Sequence, residues 1–407
     1  MLLLYNTGLR VYYLLILFFS AFNKKAALWI KGRINTNYSH FEQSIWFHFA
    51  SLGEFEQGRP VLEQIRIQQP ESKIVITFFS PSGYEIRKNT PLADAVYYLP
   101  LDTAGNARKF IAAINPRVAI FTKYEYWYHF FNELNSRQTP LYIISGIFRP
   151  GQIFFKWYGG LHRKMLHFVT RFFVQDAQSE QLLQTVGIIN VTISGDTRFD
   201  RVWANAQNPK ALPQIKAFKA GQKMFIAGST WPADEQLLAQ LINEYPEWKF
   251  IIAPHEIGED KINNLISLLP QGSYIRHSLI ADRQSLINKQ ILIIDNIGML
   301  SSLYQYGDIA YVGGGFGAGI HNTLEAAAFG LPVIFGPNYS RFKEACDLIA
   351  IGAGFSITDV RSLKITAGKL IEDKSFCAAA GYKAGDYVKQ NIGATQKILS
   401  AINESGI

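Results

Sequence analysis

Residues 308–337 read DIAYVGGGFGAGIHNTLEAAAFGLPVIFGP: an apolar run, five glycines within seven positions (313, 314, 315, 317 and 319), an alanine-rich helical segment, and a second apolar run ending in Gly336 and Pro337. Strand, glycine loop, helix and strand in that order form the unit of a parallel sheet, because parallel neighbours need a long crossover. Glycines let a backbone approach a ligand closely, and the amides at the start of a helix near His321 and Asn322 suit an anion such as a phosphate. Glu325, three residues after Asn322, falls about one turn into that helix, on a face from which it can accept hydrogen bonds from ribose hydroxyls. Gly313, Gly315 and Ala318 also satisfy G-x-G-x-x-A. That match is late in the chain, and the next strand, PVIFGPN, ends in Asn338 rather than a ribose-binding acid, so hydride transfer is a minor reading.

The same rhythm runs outward from this stretch. SIWFHFA, KIVITFF, AVYYLPL, VAIFT, LYIISG, RFFVQ and VTISG alternate with amphipathic helix-length segments from residue 44 onward. A polar stretch at 205–221 interrupts the pattern, which resumes with KMFIAGS, KFIIAPHE, SYIRHS and ILIIDN. This predicts an α/β protein of two doubly wound, Rossmann-like domains joined near residue 210, with ligands in a cleft at the strand C-termini. The expected division is 1–35, 36–207 and 208–407. At 407 residues and 48% apolar content the chain exceeds one ordinary core.

Charge is uneven within the net +8: the first 40 residues hold Arg10, Lys24, Lys25, Lys31 and Arg33 and no acid, and a second acid-free block runs between Glu133 and Asp176. No nucleic-acid-binding motif accompanies this basic surface, so an anionic membrane or an anionic substrate is the expected partner, not nucleic acid. Residues 2–22 form an apolar stretch interrupted by Asn6 and Arg10. It is short for a span of about 20 residues and is read as an uncleaved anchor that lies in or dips through the membrane. The two cysteines, Cys346 and Cys377, form no C-x-x-C pair or metal-binding cluster, so no metal is expected.

Several chemistry-bearing residues follow apolar runs. In FHFASLGEFEQGRP, Glu54 follows Gly53 at a strand end, where it either favours the start of the next helix or serves as an active-site carboxylate, with Gly53 shaping the backbone to present it; Glu56 reads as a solvated helix residue. Glu125 in KYEYW, Ser82 and Gly83 in FFSPSGYE, and Arg198 in SGDTRFD are placed alike. Arg198 either clamps an anion or pairs with Asp196 or Asp200. In the second half, Gly228 to Thr230 of AGSTWPADE and His255 and Glu256 of APHEI follow strands and are expected at the same cleft as the glycine loop, where His255 is either a structural histidine or a nucleotide contact.

Taken together and in order, FHFASLGEFEQGRP, TFFSPSGYE, KYEYW, ISGIFRPGQIFFKWYG, SGDTRFD, AGSTWPADE, APHEI and GIHNTLEAAAFGLPVIFGP resemble the 3-deoxy-D-manno-octulosonic acid (Kdo) transferases of lipopolysaccharide synthesis, glycosyltransferase family 30. The resemblance implies a GT-B architecture with an N-terminal membrane anchor, attachment to the cytoplasmic face of the cell inner membrane, and transfer of Kdo from CMP-Kdo to a lipid A precursor of the lipid IVA type, without metal or other cofactor. It assigns the catalytic base to Glu54 and transition-state stabilisation to Glu125 and Arg198. CMP contacts fall on Pro254, His255, Ile297, Gly298, Met299, Asn322, Thr323, Leu324 and Glu325. Many relatives carry Lys at the position of Arg198 and Pro at that of Thr323. The rival readings are a sugar-nucleotide epimerase of the same two-domain fold, which needs no basic apolar N-terminus, and a non-enzymatic nucleotide sensor, which predicts no role for Glu54.

Overall fold

The structure, a computed structural model, describes residues 1–34, 36–280 and 282–404. Among these residues the chain forms two seven-stranded sheets, every pairing in them parallel. The chain divides into two compact units, Met1–Asp200 with Ile392–Ile407, and Arg201–Asn391. The GT-B class of fold, with two Rossmann-like α/β units, is therefore the one the chain adopts.

The first sheet contains β1 (Ser44–Phe49), β2 (Lys73–Phe78), β3 (Ala95–Tyr98), β4 (Pro116–Thr122), β5 (Leu141–Gly146), β6 (Arg171–Val174) and β7 (Val191–Ile193), in the order β3-β2-β1-β4-β5-β6-β7. Every residue of β1 is buried, as a strand covered on both faces requires. Ile45, Phe47 and Phe49 point into one apolar layer with Val61, Leu62 and Ile65 of the helix Leu52–Gln68, while Trp46 faces the opposite layer with Phe110, Phe121 and Phe130. The helices around this sheet include α1 (Leu2–Phe19), α2 (Lys24–Lys31), α3 (Leu52–Gln68), α4 (Pro81–Arg87), α5 (Ala104–Ile114) and α6 (Tyr128–Ser136). By length and composition α1 is apolar enough to cross a membrane, and none of its residues is fully buried.

The second sheet contains β8 (Met224–Thr230), β9 (Lys249–Pro254), β10 (Tyr274–Arg276), β11 (Ile291–Ile293), β12 (Ile309–Val312), β13 (Val333–Phe335) and β14 (Gly354–Ser356), ordered β10-β11-β9-β8-β12-β13-β14. In each sheet the strand order reverses beside one strand pair, β1/β4 in the first and β8/β12 in the second. Such switch points open a crevice at the strand C-termini.

A division at residue 207 places the C-terminal helix Ala394–Glu404 with the second sheet, but this helix packs on the first. Ile398, Leu399 and Ile402 join the layer under Phe47 and Phe49. Asp200 fastens its start, its Oδ2 accepting the Thr395 N–H and hydroxyl at 2.7 Å each. The apolar pattern of a helix says that it must be covered, not by which sheet.

Candidate active site

Glu54 and Glu125 follow β1 and β4, the two strands that flank the first sheet's switch point. Glu54 occupies the third helical position of α3, whose N-cap is Ser51, and its Oε2 accepts the Ala50 N–H at 2.5 Å. The helix-start role is therefore genuine. Burial, reinforced by the Glu125 charge, nevertheless pushes its pKa up from 4.5 to about 7, although the Ala50 and Ser51 amides and the Lys123 ammonium pull the other way. A half-ionised carboxylate at neutral pH is suited to general-base work. Lys123, two residues before Glu125, has φ +59°, a strained backbone for a residue with a side chain.

Glu125 is fixed by a buried chain of hydrogen bonds. Its Oε2 receives Trp127 Nε1–H at 2.9 Å and lies 3.0 Å from His48 Nε2, while His48 Nδ1 lies 2.8 Å from Thr77 Oγ1, which also accepts Trp46 Nε1–H at 2.8 Å. One proton arrangement satisfies every member: Thr77 O–H donates to His48 Nδ1, and neutral His48 donates Nε2–H to Glu125. His48 is fully buried on β1, directly paired in register with Thr77 of β2. A polar residue in such a place is costly unless bonded at both nitrogens, as it is here.

The other first-half candidates are placed differently. Arg198 Nη2 lies 2.7 Å from Asp196 Oδ2, so the ion pair weighed from the sequence is present; Asp200, the other partner considered, instead anchors the C-terminal helix. Ser82 is exposed and bonded to Ser80, and Gly83 is required because a Cβ there would overlap the Phe78 ring. Two expectations are corrected. Gly53 is an ordinary helical residue with room for a Cβ, whose closest neighbour would be Ser51 Oγ at 3.9 Å, so it does not shape the backbone to present Glu54. Glu56 is not a freely solvated residue: it is half-buried and ties α3 to α4 through Arg87 at 2.7 Å.

In the second unit the glycine loop follows β12, beside the end of β8. Its glycines serve the protein's own backbone more than the space beyond it. A Cβ on Gly313 would meet Ser229 O, and one on Gly315 would come within 2.6 Å of Gly336 Cα, while Gly314 has φ +92°. Only Gly317, among the five, has a neighbour no nearer than 3.7 Å together with an ordinary φ. The loop is held from beneath by the fully buried Asp234, which accepts Tyr311 O–H at 2.6 Å and the N–H groups of Gly314 and Trp231, both at 2.9 Å.

Three rings gather above that support. Trp231 Nε1–H donates to His321 Nε2 at 3.0 Å with the two rings almost coplanar, and His255 stacks on both at centroid distances of 4.7 and 4.5 Å. Burial, then the His255 charge, lowers the His321 pKa to about 4, so its imidazole stays neutral at pH 7 with the proton on Nδ1. Pro254 ends β9 just before His255. Ile297 and Gly298 lie exposed past β11, and Met299 caps the following short helix; no described contact joins them to the ring stack. Asn322 caps Leu324 N–H at 3.1 Å and donates to Glu325 Oε1 at 3.3 Å; burial raises the Glu325 pKa, while the Arg201 charge opposes the rise. Thr323 and Leu324 are fully buried, and Thr323 Oγ1 has no hydrogen-bond partner among the described residues. Strand order puts the ends of β11, β9, β8 and β12 side by side, so these candidates share one edge of the sheet.

Residues 24–201 match the family model described as 3-Deoxy-D-manno-octulosonic-acid transferase (kdotransferase). A 3-deoxy-D-manno-octulosonic acid transferase of Haemophilus influenzae is 27% identical over 379 residues, covering 88% of this chain and 86% of its own. One of Chlamydia muridarum is 26% identical over 340 residues, covering 81% and 78%. Along most of its length the chain is similar to Kdo transferases. It is a glycosyltransferase, acting in Kdo transfer for lipopolysaccharide synthesis. Solved structures agree in fold: the UDP-GlcNAc 2-epimerase of Methanocaldococcus jannaschii (TM-score 0.55, 15% identity, 85% of this chain and 98% of that one) and MurG of Acinetobacter baumannii (0.56, 11%, 89% and 99%). At such identities the likeness speaks for architecture alone.

For a Kdo transferase, the residues that sequence reasoning overlooked are those that hold the charged groups still. His48 and Thr77 were legible as polar interruptions of otherwise apolar strands, one residue from the end of each run. Trp127 was in view within KYEYW but carried no assignment. Asp234 and Trp231 lie inside AGSTWPADE, where they read as a helix start. Only the fold brings Asp234 under Gly314, 80 positions away.

Proposed function

We propose that this Kdo transferase takes Kdo from CMP-Kdo and places it on a hydroxyl of a lipid A precursor of the lipid IVA type, with no metal ion, and that Glu54 is the general base. The observation that carries the reading is the half-buried Glu54 carboxylate, its pKa raised to about 7 by desolvation and by the second carboxylate of Glu125. Glu54 would accept the proton of the acceptor hydroxyl as that oxygen bonds to the anomeric carbon of Kdo; the bond from that carbon to the phosphate oxygen breaks, and CMP leaves with the electron pair. Glu125, immobilised by His48 and Trp127, would oppose positive charge building on the sugar ring. Arg198 would meet negative charge developing on the departing phosphate.

The donor nucleotide is assigned to Pro254, His255, Ile297, Gly298, Met299, Asn322, Thr323, Leu324 and Glu325. Support comes from their common position along the second sheet's C-terminal edge. In this reading residues 1–35 are the membrane anchor, 36–207 the acceptor-binding part, which the C-terminal helix Ala394–Glu404 joins, and 208–391 the donor-binding part, the chain working at the cytoplasmic face of the inner membrane. The epimerase alternative has fold likeness alone behind it.

The test incubates purified protein with CMP-Kdo and a tetraacylated lipid A precursor, following CMP release and lipid mass. Wild type should release CMP and yield a heavier lipid, and Glu54→Gln should do neither at an appreciable rate. Absence of both products with wild type would overturn the substrate assignment, whereas normal transfer by Glu54→Gln would overturn the base.

A further inference from the structure

We infer that α1 does not cross the bilayer but lies along its surface, one face docked on the first unit and the other sunk among anionic lipids. The inference deepens the membrane attachment proposed above and rests on it. The exposure pattern of α1 defines the docked face: Tyr5, Leu9, Tyr13, Ile16 and Ser20 are half-buried, at spacings of four, four, three and four, while Leu3, Leu4, Val11, Leu14, Leu15 and Phe18 are exposed. Spacings of three and four mark one stripe of a helix.

The docked stripe is polar where it meets the protein. Tyr5 O–H donates to the buried Asp102 carboxylate at 2.5 Å, and Asn6 Oδ1 lies 2.7 Å from His129 Nε2. The same Asp102 accepts the N–H groups of His129 and Phe130 at the start of α6, at 3.1 and 3.0 Å. Farther along, Tyr12 packs on Trp29 of α2 and on Phe79. Asn6 and the Tyr5 hydroxyl, which are costly in hydrocarbon, thus have protein partners.

Length decides between the two arrangements. From Tyr5 to Ile16 the helix runs about 16 Å along the unit, and residues 17–22 add only about 9 Å, against roughly 30 Å of hydrocarbon to be crossed. A crossing would have to strip the stripe from its seat and leave the Asp102 carboxylate buried without its tyrosine. Laid flat, the helix buries its leucines without disturbing any of these bonds.

Charge and aromatic content name the occupant of the outer face. Arg10, Lys24 and Lys25 flank it on the surface, with no acid among the first 40 residues. A second basic segment adjoins the first through Tyr128: Lys164 Nζ lies 3.4 Å from Tyr128 Oη, and Tyr128 N–H donates to Tyr5 Oη at 3.3 Å. That segment also carries Trp157, 90% exposed, and Tyr158 beside Lys156. Aliphatic residues with exposed Trp, Tyr and lysines suit the interface of an anionic membrane. The arrangement also has a consequence for the reaction. Tyr12 stacks on Phe79, Phe79 on Trp127, and Trp127 holds Glu125, so the carboxylate site lies at the level of the bilayer surface, where a lipid acceptor already is.

The test uses the full chain with Cys346 and Cys377 changed to serine, carrying one new cysteine either in a short tag ahead of Met1 or as Ala21→Cys. Both are probed with a membrane-impermeant maleimide in sealed inverted and right-side-out membrane vesicles. Labelling of both positions from the side on which the two units are accessible to trypsin supports the surface arrangement; labelling of the tag from the opposite side overturns it. In the otherwise unaltered chain, Leu14→Glu should weaken co-sedimentation with phosphatidylethanolamine–phosphatidylglycerol vesicles at least about tenfold, with transfer to a detergent-dispersed acceptor unchanged. Failure of wild type to bind such vesicles would overturn the inference, while its transfer activity in detergent reports separately on the enzymatic reading.

Discussion

Replacing Glu54 by glutamine tests the base assignment and its physical cause together. Glutamine keeps the shape and an oxygen for the Ala50 N–H, but cannot ionise. The folded-state pKa of Glu54 is raised from 4.5 to about 7, which means that folding favours its protonated form. That preference is fully present below pH 4.5, fades as pH rises, and is gone once pH passes about 7, where the folded protein must carry a buried charge. The rise corresponds to about 3 kcal/mol, an upper limit for what Glu54→Gln restores at pH 8. For a unit of this size it corresponds to a melting temperature higher by roughly 6–10 °C. At pH 4.5 the two proteins should melt together. Activity should move the other way, by roughly 10²–10⁴-fold, and the wild-type kcat/KM should rise with pH to a plateau along a limb with an apparent pKa of about 7. Scanning calorimetry at the two pH values and initial rates from pH 5 to 9 supply the measurements. A Glu54→Gln protein less stable than wild type at pH 8, or a wild-type rate already on its plateau at pH 5.5, would refute the reasoning.

Thr77→Val leaves Trp46 Nε1–H without its acceptor and His48 Nδ1 without its donor; a loss of roughly 3 kcal/mol is expected, read as a lower melting temperature, together with slower transfer as Glu125 loosens. Asp234→Ala strands one hydroxyl and two amide donors under the glycine loop, so the KM for CMP-Kdo should rise along with a stability loss of about 3 kcal/mol; unchanged donor affinity would show that the loop keeps its shape unaided. Gly315→Ala forces a Cβ against Gly336 and should cost about 1–3 kcal/mol, whereas Gly53→Ala, open and helical, should be neutral or stabilising by up to about 1 kcal/mol in chemical denaturation. Trp231→Phe retains a ring over His255 but removes the donor to His321 Nε2, which favours the neutral ring, so the His321 pKa should climb from about 4, as NMR titration of its ring protons would reveal; no movement would mean that burial and His255 hold the pKa down without the hydrogen bond.

Much of the fold was legible because parallel strands buried on both faces leave an unmistakable pattern of short apolar runs separated by helix-length segments. Both candidate carboxylates were also legible, since each lies just past such a run. The helix Ala394–Glu404 was not, for its apolar stripe is compatible with either sheet, and the choice rests on Asp200, nearly 200 residues earlier. The role of the glycines was misread for a related reason: a glycine excluded by a ligand and one excluded by a neighbouring backbone look the same in sequence, and at Gly313 and Gly315 the neighbour is the protein itself.

By itself the sequence determined the alternation that makes two parallel sheets, the acid-free basic N-terminus, and the kinds of groups available for chemistry, because periodicity, charge and residue type are local properties. Tertiary structure alone decided which of those groups meet. Registering β1 against β2 and β4 sets Thr77, His48 and Glu125 in one hydrogen-bonded line, and burial there raises the Glu54 pKa; desolvation and through-space contact belong to the folded chain and to no stretch of it.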